Sequence, residues 1–248
     1  EWTDATWNPV TGCTKVSPGC KHCYAQTFSE RFRGVAGHPF EQGFDLWLWP
    51  NRLDLPLTWK KPKRIFVNSM SDLFHERVPD SFIDFVFGTM MRAHWHQFQV
   101  LTKRPERMAT YLNSRPARFA NLATTHPQIW LGASVESHKY SQRAGLVAML
   151  PTAVRFLSCE PLLGPLDLRD VLGPSGVNWV IVGGESGHGA RPMSQDWVID
   201  IRNQCLEAGV PFFFKQWGGR QKKRAGRLLE ERTWDDLPRG KSSSHPSE

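Results

Sequence analysis

The feature that most restricts the fold of this 248-residue chain is an alternation that begins after Lys63. Short apolar runs close on small or charged polar residues, and stretches with helical spacing separate most of them. The runs are IFVNSMSD (65–72), FQVLTKR (98–104), IWLGASVE (129–136), VRFLSCE (154–160), WVIVGGESG (179–187) and PFFFKQWGG (211–219). Runs that are apolar throughout, rather than at every second residue, mark parallel strands covered on both faces. Between the first two, Pro79 stands at a helix start, with Phe82, Ile83, Phe85, Val86 and Met90 spaced for one buried face. Helices are also expected at 26–33, 105–112, 138–150 and 196–208, the last stopped by Gly209. A further strand at 5–10 makes seven. Strands alternating with helices mean βαβ units and a parallel sheet, either doubly wound or closed wholly or partly into a barrel. In both architectures functional groups gather at the carboxyl ends of the strands.

Those ends are where the polar residues fall. They supply Ser69, Ser71 and Asp72; Thr102 and Lys103; Ser134 and Glu136; Cys159 and Glu160; Gly183, Gly184 and Glu185; and Lys215 and Gln216. One polar strand end is a turn signal, whereas six around one mouth make a site. After the first strand comes TWNPVTGCTKVSPGCKHCYA (6–25), which places Cys13, Cys20 and Cys23 in a C-x6-C-x2-C pattern with a turn at Pro18 and Gly19. Thiolates ligate soft and borderline metals, and a loop this short wraps one metal centre without help from a distant segment. A closed structural site takes four protein ligands, whereas an iron–sulfur cluster held by three keeps one iron open for a small molecule. The rival is a Cys3His zinc site using His22 or another histidine, which would make the chain a zinc-dependent nucleic-acid-binding module without catalysis. Against it, adjacent His22 and Cys23 are poorly placed to share one tetrahedral ion, and such a module has no use for the polar strand ends.

Composition narrows the setting. Hydrophobic residues make up 40% of the chain, enough for a sizeable core. No apolar stretch approaches the roughly 20 residues of a membrane span, and the first residues carry no secretory pattern. Five cysteines, three of them clustered like ligands, argue against a disulfide framework and for a cytoplasmic location. Lys plus Arg number 31 against 24 Asp plus Glu, a net +7 that favours polyanions, DNA or RNA first. A basic surface kept for solubility is the plainer explanation of the same count. The segment 35–62 is rich in Pro, Gly and Trp and reads as an irregular insertion. It contains His38, Asp45, and Trp47 and Trp49, either core residues or a surface on which bases stack. The basic runs WKKPKR (59–64) and RQKKRAGR (220–227) are phosphate contacts or solvated turns. The main domain is expected over 1–219, with a basic extension and a disordered Ser-rich tail at 220–248.

The motifs WNPVTGCTKVSPGCKHCYA, FVNSMSDLFHE, FQVLTKRPERM, LGASVES, FLSCEPLLGPL, VIVGGESG and FFFKQWGG resemble the phage-associated Gp37/Gp68 group, labelled DUF5131, over residues 2–238. The cysteine loop ahead of the β/α units also resembles the radical S-adenosylmethionine (SAM) superfamily, and the SMSD, LTK and Ser134/Glu136 motifs are similar to those of spore photoproduct lyase. The first cysteine gap is six residues here, where three is usual. The resemblance implies a partial or full (β/α) TIM-like barrel of mainly parallel strands. It implies a [4Fe–4S] cluster on Cys13, Cys20 and Cys23, with the open iron binding SAM. Reductive cleavage to a 5′-deoxyadenosyl radical would follow, with an external donor such as flavodoxin or ferredoxin. Ser69, Ser71 and Asp72 would accept the methionyl ammonium, Lys103 would pair with the carboxylate, and Ser134 and Glu136 would bind ribose hydroxyls. His22 and Tyr24 stand beside the last cysteine, where His22 would pack on the adenine or be a bland surface residue. The implied substrate is nucleic acid or nucleotide-derived, with DNA lesion repair one form of it. The Gly-Gly-Glu motif common on the second strand of such enzymes occurs here only at 183–185, on the sixth, so its usual role is not transferred. Cys159, Glu185 and Lys215 are the candidate catalytic residues, Cys159 as a thiol returning a hydrogen atom to a substrate radical. A small buried cysteine is the plainer alternative. Cys205, mid-helix among apolar residues, reads as core.

Overall fold

The computed structural model describes residues 2–238. In chain order the strands are β1 (Ala5–Trp7), β2 (Val10–Thr11), β3 (Trp47–Leu48), β4 (Arg64–Val67), β5 (Gln97–Thr102), β6 (Ile129–Ser134), β7 (Arg155–Cys159), β8 (Trp179–Gly183) and β9 (Phe212–Gln216). The helices are α1 (Tyr24–Glu30), α2 (Leu55–Thr58), α3 (Asp80–Arg92), α4 (Pro105–Asn113), α5 (Pro116–Phe119), α6 (Leu122–Thr125), α7 (Gln142–Ala148), α8 (Gln195–Glu207) and α9 (Lys222–Ala225). Seven strands form one sheet in the order β1-β4-β5-β6-β7-β8-β9, with every pairing parallel. Successive crossovers step the same way along the sheet and curl it into a half-barrel, a single α/β domain of partial TIM-barrel type. The seven expected strands are all present.

Strand alternation divides the side chains between two faces. On the convex face Leu157, Val180, Val182, Phe212 and Phe214 join the helices in the large core. On the concave face Trp130, Val154, Phe156, Trp179, Ile181 and Phe213 form a second cluster that plugs the half-barrel. Trp2 and Leu237, near the two ends of the described chain, pack against that plug.

Helix α3 shows how local rules and packing combine. Pro79 in extended conformation precedes its first turn, where Asp80 complements the helix dipole. Phe82, Ile83, Val86, Phe87 and Met90 bury its inner face. Phe85, expected on that face, is 64% exposed, because at 3.6 residues per turn it points outside the arc that Phe82, Ile83, Val86, Phe87 and Met90 bury.

The segment 35–62 carries little regular structure beyond β3, paired antiparallel with β2, and the single turn α2. Trp49 is used structurally, donating to Thr11 Oγ1 at 2.9 Å with Arg52 stacked 3.9 Å above its ring. Trp47 is 52% exposed. The run 59–64 leads into the amino end of β4, away from the carboxyl ends, and its Arg64 pairs with Asp4 at 3.0 Å. Past Gly219 the chain returns to the sheet: Leu229 and Trp234 are buried, and Phe214 N–H donates to the Trp234 carbonyl at 2.9 Å. This covers the open edge of β9. The Ser-rich tail lies outside the described residues. No described helix is long and apolar enough to cross a membrane.

Candidate functional site

One cavity of about 620 Å³ opens at the carboxyl ends of the sheet, within the size range of small-molecule and cofactor sites. Its wall takes in Cys13, Cys20 and Cys23, together with His22, Tyr24, Ser69, Ser71, Asp72, Lys103, Ser134, Glu185 and Lys215. The sequence-predicted residues therefore converge, with two exceptions, Cys159 and Glu136.

Local geometry sets the cysteine loop. After β2 the chain turns at Gly12, whose φ is +80° and where a Cβ would lie 2.1 Å from the Asp45 carbonyl oxygen, so only glycine fits. Gly12 N–H bonds the Met70 carbonyl at 3.0 Å, and Cys13 N–H bonds that of Phe44 at 3.3 Å. Cys20 ends a single 3-10 turn begun by Pro18, and Cys23 stands in extended conformation immediately before α1. All three thiols are free and partly exposed. Arg104 approaches Cys13 Sγ at 3.6 Å. Burial and then Asp72 push the Cys13 thiol up to about 11, against the pull of Arg104. A metal bound there must displace that proton. Among the described residues no three His, Cys, Asp or Glu side chains converge on the position of one metal ion.

Several predicted ligand groups serve the scaffold. Both Asp72 oxygens are filled, Oδ1 by Thr102 Oγ1 (2.7 Å) and Phe74 N–H (2.9 Å), Oδ2 by Lys103 N–H (3.0 Å) and Arg104 (3.2 Å). Four bonds exhaust a carboxylate, so Asp72 organises the wall and is not a free acceptor for an ammonium. Ser69 Oγ faces Asn8 Oδ1 at 3.2 Å, and Ser71 Oγ donates to the Val10 carbonyl at 2.9 Å. Their lone pairs still accept. Tyr24 O–H donates to the Ser69 carbonyl at 2.5 Å.

Glu136 does not reach the cavity. It is fully buried, accepts from Ser17 Oγ at 2.5 Å, and pairs with Lys103 and Arg143 at 3.0 Å each. Burial raises its pKa, but Lys103, Ser17 and Arg143 outweigh that and hold it below the ordinary carboxylate value. It is no ribose ligand in this arrangement. Cys159 also lies outside the cavity lining. It is fully buried on the convex face, where burial, and then Cys205, pushes its thiol pKa up. Its neighbour Ser158, one residue earlier and so on the opposite face, lines the cavity.

The Gly-Gly-Glu motif after β8 has a structural account. A Cβ at Gly183 would sit 3.1 Å from Glu160 Oε1, and one at Gly184 would meet the Trp217 carbonyl oxygen at 1.9 Å. The space at Gly183 lets Glu160 reach Lys215 at 2.8 Å, and Gln216 donates to Glu160 Oε1 at 3.3 Å. Glu185 pairs with Arg191 at 2.6 Å and with His22 Nδ1 at 3.0 Å. Burial raises its pKa, but the bonds from Arg191 and His22 bring it down to about 2.

Sequence reasoning did not single out Ser17, Asn68, Arg104 or Arg191. Asn68 has φ +59°, accepts Val10 N–H at 3.3 Å through Oδ1, and leaves Nδ2 buried at the cavity wall with no partner. Asparagine's tolerance of that backbone region, directly after an apolar run, is the signal that would have found it.

Fold and site define a single-domain α/β protein with a cysteine loop set into the mouth of a parallel half-barrel. The chain belongs to the family described as "Protein of unknown function (DUF5131)", which matches residues 1–238. No curated protein and no solved structure matches it.

Proposed function

We propose that the chain is a radical SAM enzyme acting on nucleic acid or a nucleotide-derived substrate in the cytoplasm. The observation that carries this reading is that Cys13, Cys20 and Cys23 share one cavity with Ser69, Ser71, Lys103 and Ser134. Three thiols lining one cavity suit a cluster, whose cysteines bind separate irons. A single zinc ion needs every sulfur at about 2.3 Å from one point, which disfavours the zinc-module reading. Cys13, Cys20 and Cys23 would hold a [4Fe–4S] cluster, which when bound would supply the electron for reductive cleavage of SAM. An external donor such as flavodoxin or ferredoxin would provide that electron.

This chain's residues then have separate tasks. Ser69 and Ser71 accept from the methionyl ammonium. Lys103, which spends one proton on Glu136, offers the others to the carboxylate. Ser134 meets a ribose hydroxyl, Tyr24 and His22 form the wall beside it, and buried Asn68 Nδ2 supplies a donor that protein atoms do not satisfy. The far wall, where Glu160 pairs with Lys215, is left for the substrate. A net charge of +7 supports a polyanionic one.

The test is anaerobic reconstitution with iron and sulfide, followed by SAM and dithionite. 5′-Deoxyadenosine is the expected product, and its absence from a sample with full iron loading would sink the proposal.

A further inference from the structure

Two buried carboxylates tie the cysteine loop to the strand ends, in different ways. Glu136, after β6, is sealed from solvent and holds Ser17 in the loop's first half. Glu185, after β8, holds the second half from the cavity wall. Its Oε2 meets His22 Nδ1 at 3.0 Å, and Arg191 binds its two oxygens at 2.6 and 2.9 Å. Arg191 N–H also returns to Oε2 at 2.9 Å, which folds the segment 186–191 over the carboxylate. Arg191 Nη2 then donates to the Pro18 carbonyl at 2.9 Å, the oxygen that also accepts Lys21 N–H at 3.1 Å. One carboxylate thus reaches His22, beside Cys23, directly, and the turn that ends in Cys20 through a guanidinium.

The loop needs such ties. Among the described residues, the only backbone donors between 14 and 22 engaged in backbone hydrogen bonds are the amides of Cys20 and Lys21. Side chains must set the rest of its shape. Charge-assisted and bidentate bonds are the strong ones available for that purpose.

We propose that Glu185, acting through Arg191 and His22, is a positioning residue that presets Cys20 and Cys23 before any metal enters. Its catalytic meaning rests on reading the cysteines as cluster ligands, whereas the clamp is a property of the metal-free chain. Presetting of this kind removes the freedom that metal binding would otherwise have to quench.

The experiment compares Glu185→Gln, Arg191→Gln and Arg191→Lys with the unaltered full chain. Arg191 is partly exposed, so its variants keep the comparison alive if Glu185→Gln fails to fold. In metal-free protein, amide exchange at Cys20 and Lys21 is expected to quicken about tenfold in both Gln variants, with β7 and β8 amides unchanged and Arg191→Lys restoring part of the protection. After anaerobic loading with iron and sulfide, the cluster's midpoint potential is expected to rise in Glu185→Gln, which loses a negative charge. It should fall in Arg191→Gln, which loses a positive one. A bridge that only supports the fold does not produce shifts of opposite sign. Unchanged exchange at Cys20 and Lys21 in both Gln variants overturns the clamp, and equal potentials overturn its role toward the cluster. If the unaltered protein takes up no iron, the cluster reading fails and the exchange data alone decide the clamp.

Discussion

The convex and concave faces of the sheet are made by alternate residues of the same strands, yet they divide stability from chemistry. On the convex face Leu157, Cys159, Val180, Val182, Phe212 and Phe214 continue one apolar core into the helices. On the concave face the character changes along each strand. β7 passes from Phe156 in the aromatic plug to Ser158 at the cavity, and β9 from Phe213 to Lys215. A strand buried on both faces is apolar along its whole length, so the change to polar residues on one face only is the mark of the mouth. The difference teaches that a strand-end residue must be assigned to a face before it is assigned a role.

Replacing Cys13, Cys20 or Cys23 by Ala attacks the concave face at its most chemical point and carries the largest expected effect. Iron uptake and 5′-deoxyadenosine formation should fall below detection, while the thermal unfolding midpoint stays within a few degrees of the parent. The thiols are partly exposed and contribute little packing. Collapse of the fold in these variants would mean that the loop belongs to the stabilising half of the molecule.

Phe156→Ala tests the plug. Phe156 is fully buried against Trp179, with ring centroids 5.5 Å apart, and its loss should destabilise by about 3–5 kcal/mol in denaturant titrations. Gly183→Val is gentler. Its added atoms press on Glu160, and the expected loss of about 1–3 kcal/mol comes with weakened substrate binding but intact SAM cleavage.

Acid offers a further probe, and here two buried histidines at opposite ends of the sheet respond, His75 beside Thr14 Oγ1 of the cysteine loop at 2.9 Å and His96 just before β5. His75 and His96 are both fully buried. Burial pushes each below its ordinary value of 6.5, with Arg104 adding to the effect at His75. The folded state therefore resists protons that the unfolded state takes up. Stability is fully present above about pH 6.5 and is lost as pH falls below it. Unfolding midpoints should drop between pH 7.5 and 5.5, and His96→Gln should flatten part of that slope.

Much of this was legible from the chain. Six apolar runs, with the stretch before the cysteine loop, announced seven strands because a parallel sheet covered on both sides favours that pattern, and Pro79 and Gly209 marked helix ends by their backbone limits. The three cysteines and most strand-end residues meet in one cavity as their positions implied. What did not show was saturation. Asp72 and Glu136 look free in sequence, and only the fold brings Thr102, Arg104, Ser17 and Arg143 to them. Nor does a sequence show that residues 229–237 return to cover β9, since such a tertiary contact leaves no periodic trace.

Cys159→Ala carries the smallest effect and tests the division of faces most directly. The residue stands at a strand end, as a hydrogen-atom donor to a substrate radical should, but its side chain leaves the strand on the convex side. The period of two that puts Ser158 and Glu160 at the cavity turns Cys159 away from it. Its thiol therefore has no path to a substrate in the mouth. Removing one buried sulfur should cost about 1 kcal/mol of stability and leave SAM cleavage and the product distribution unchanged. Ser158→Val, of similar size and one residue earlier, should do the reverse, sparing stability while narrowing the cavity and weakening ligand binding. If Cys159→Ala alters the products and Ser158→Val does not, β7 presents its other face to the mouth and the comparison fails at this strand.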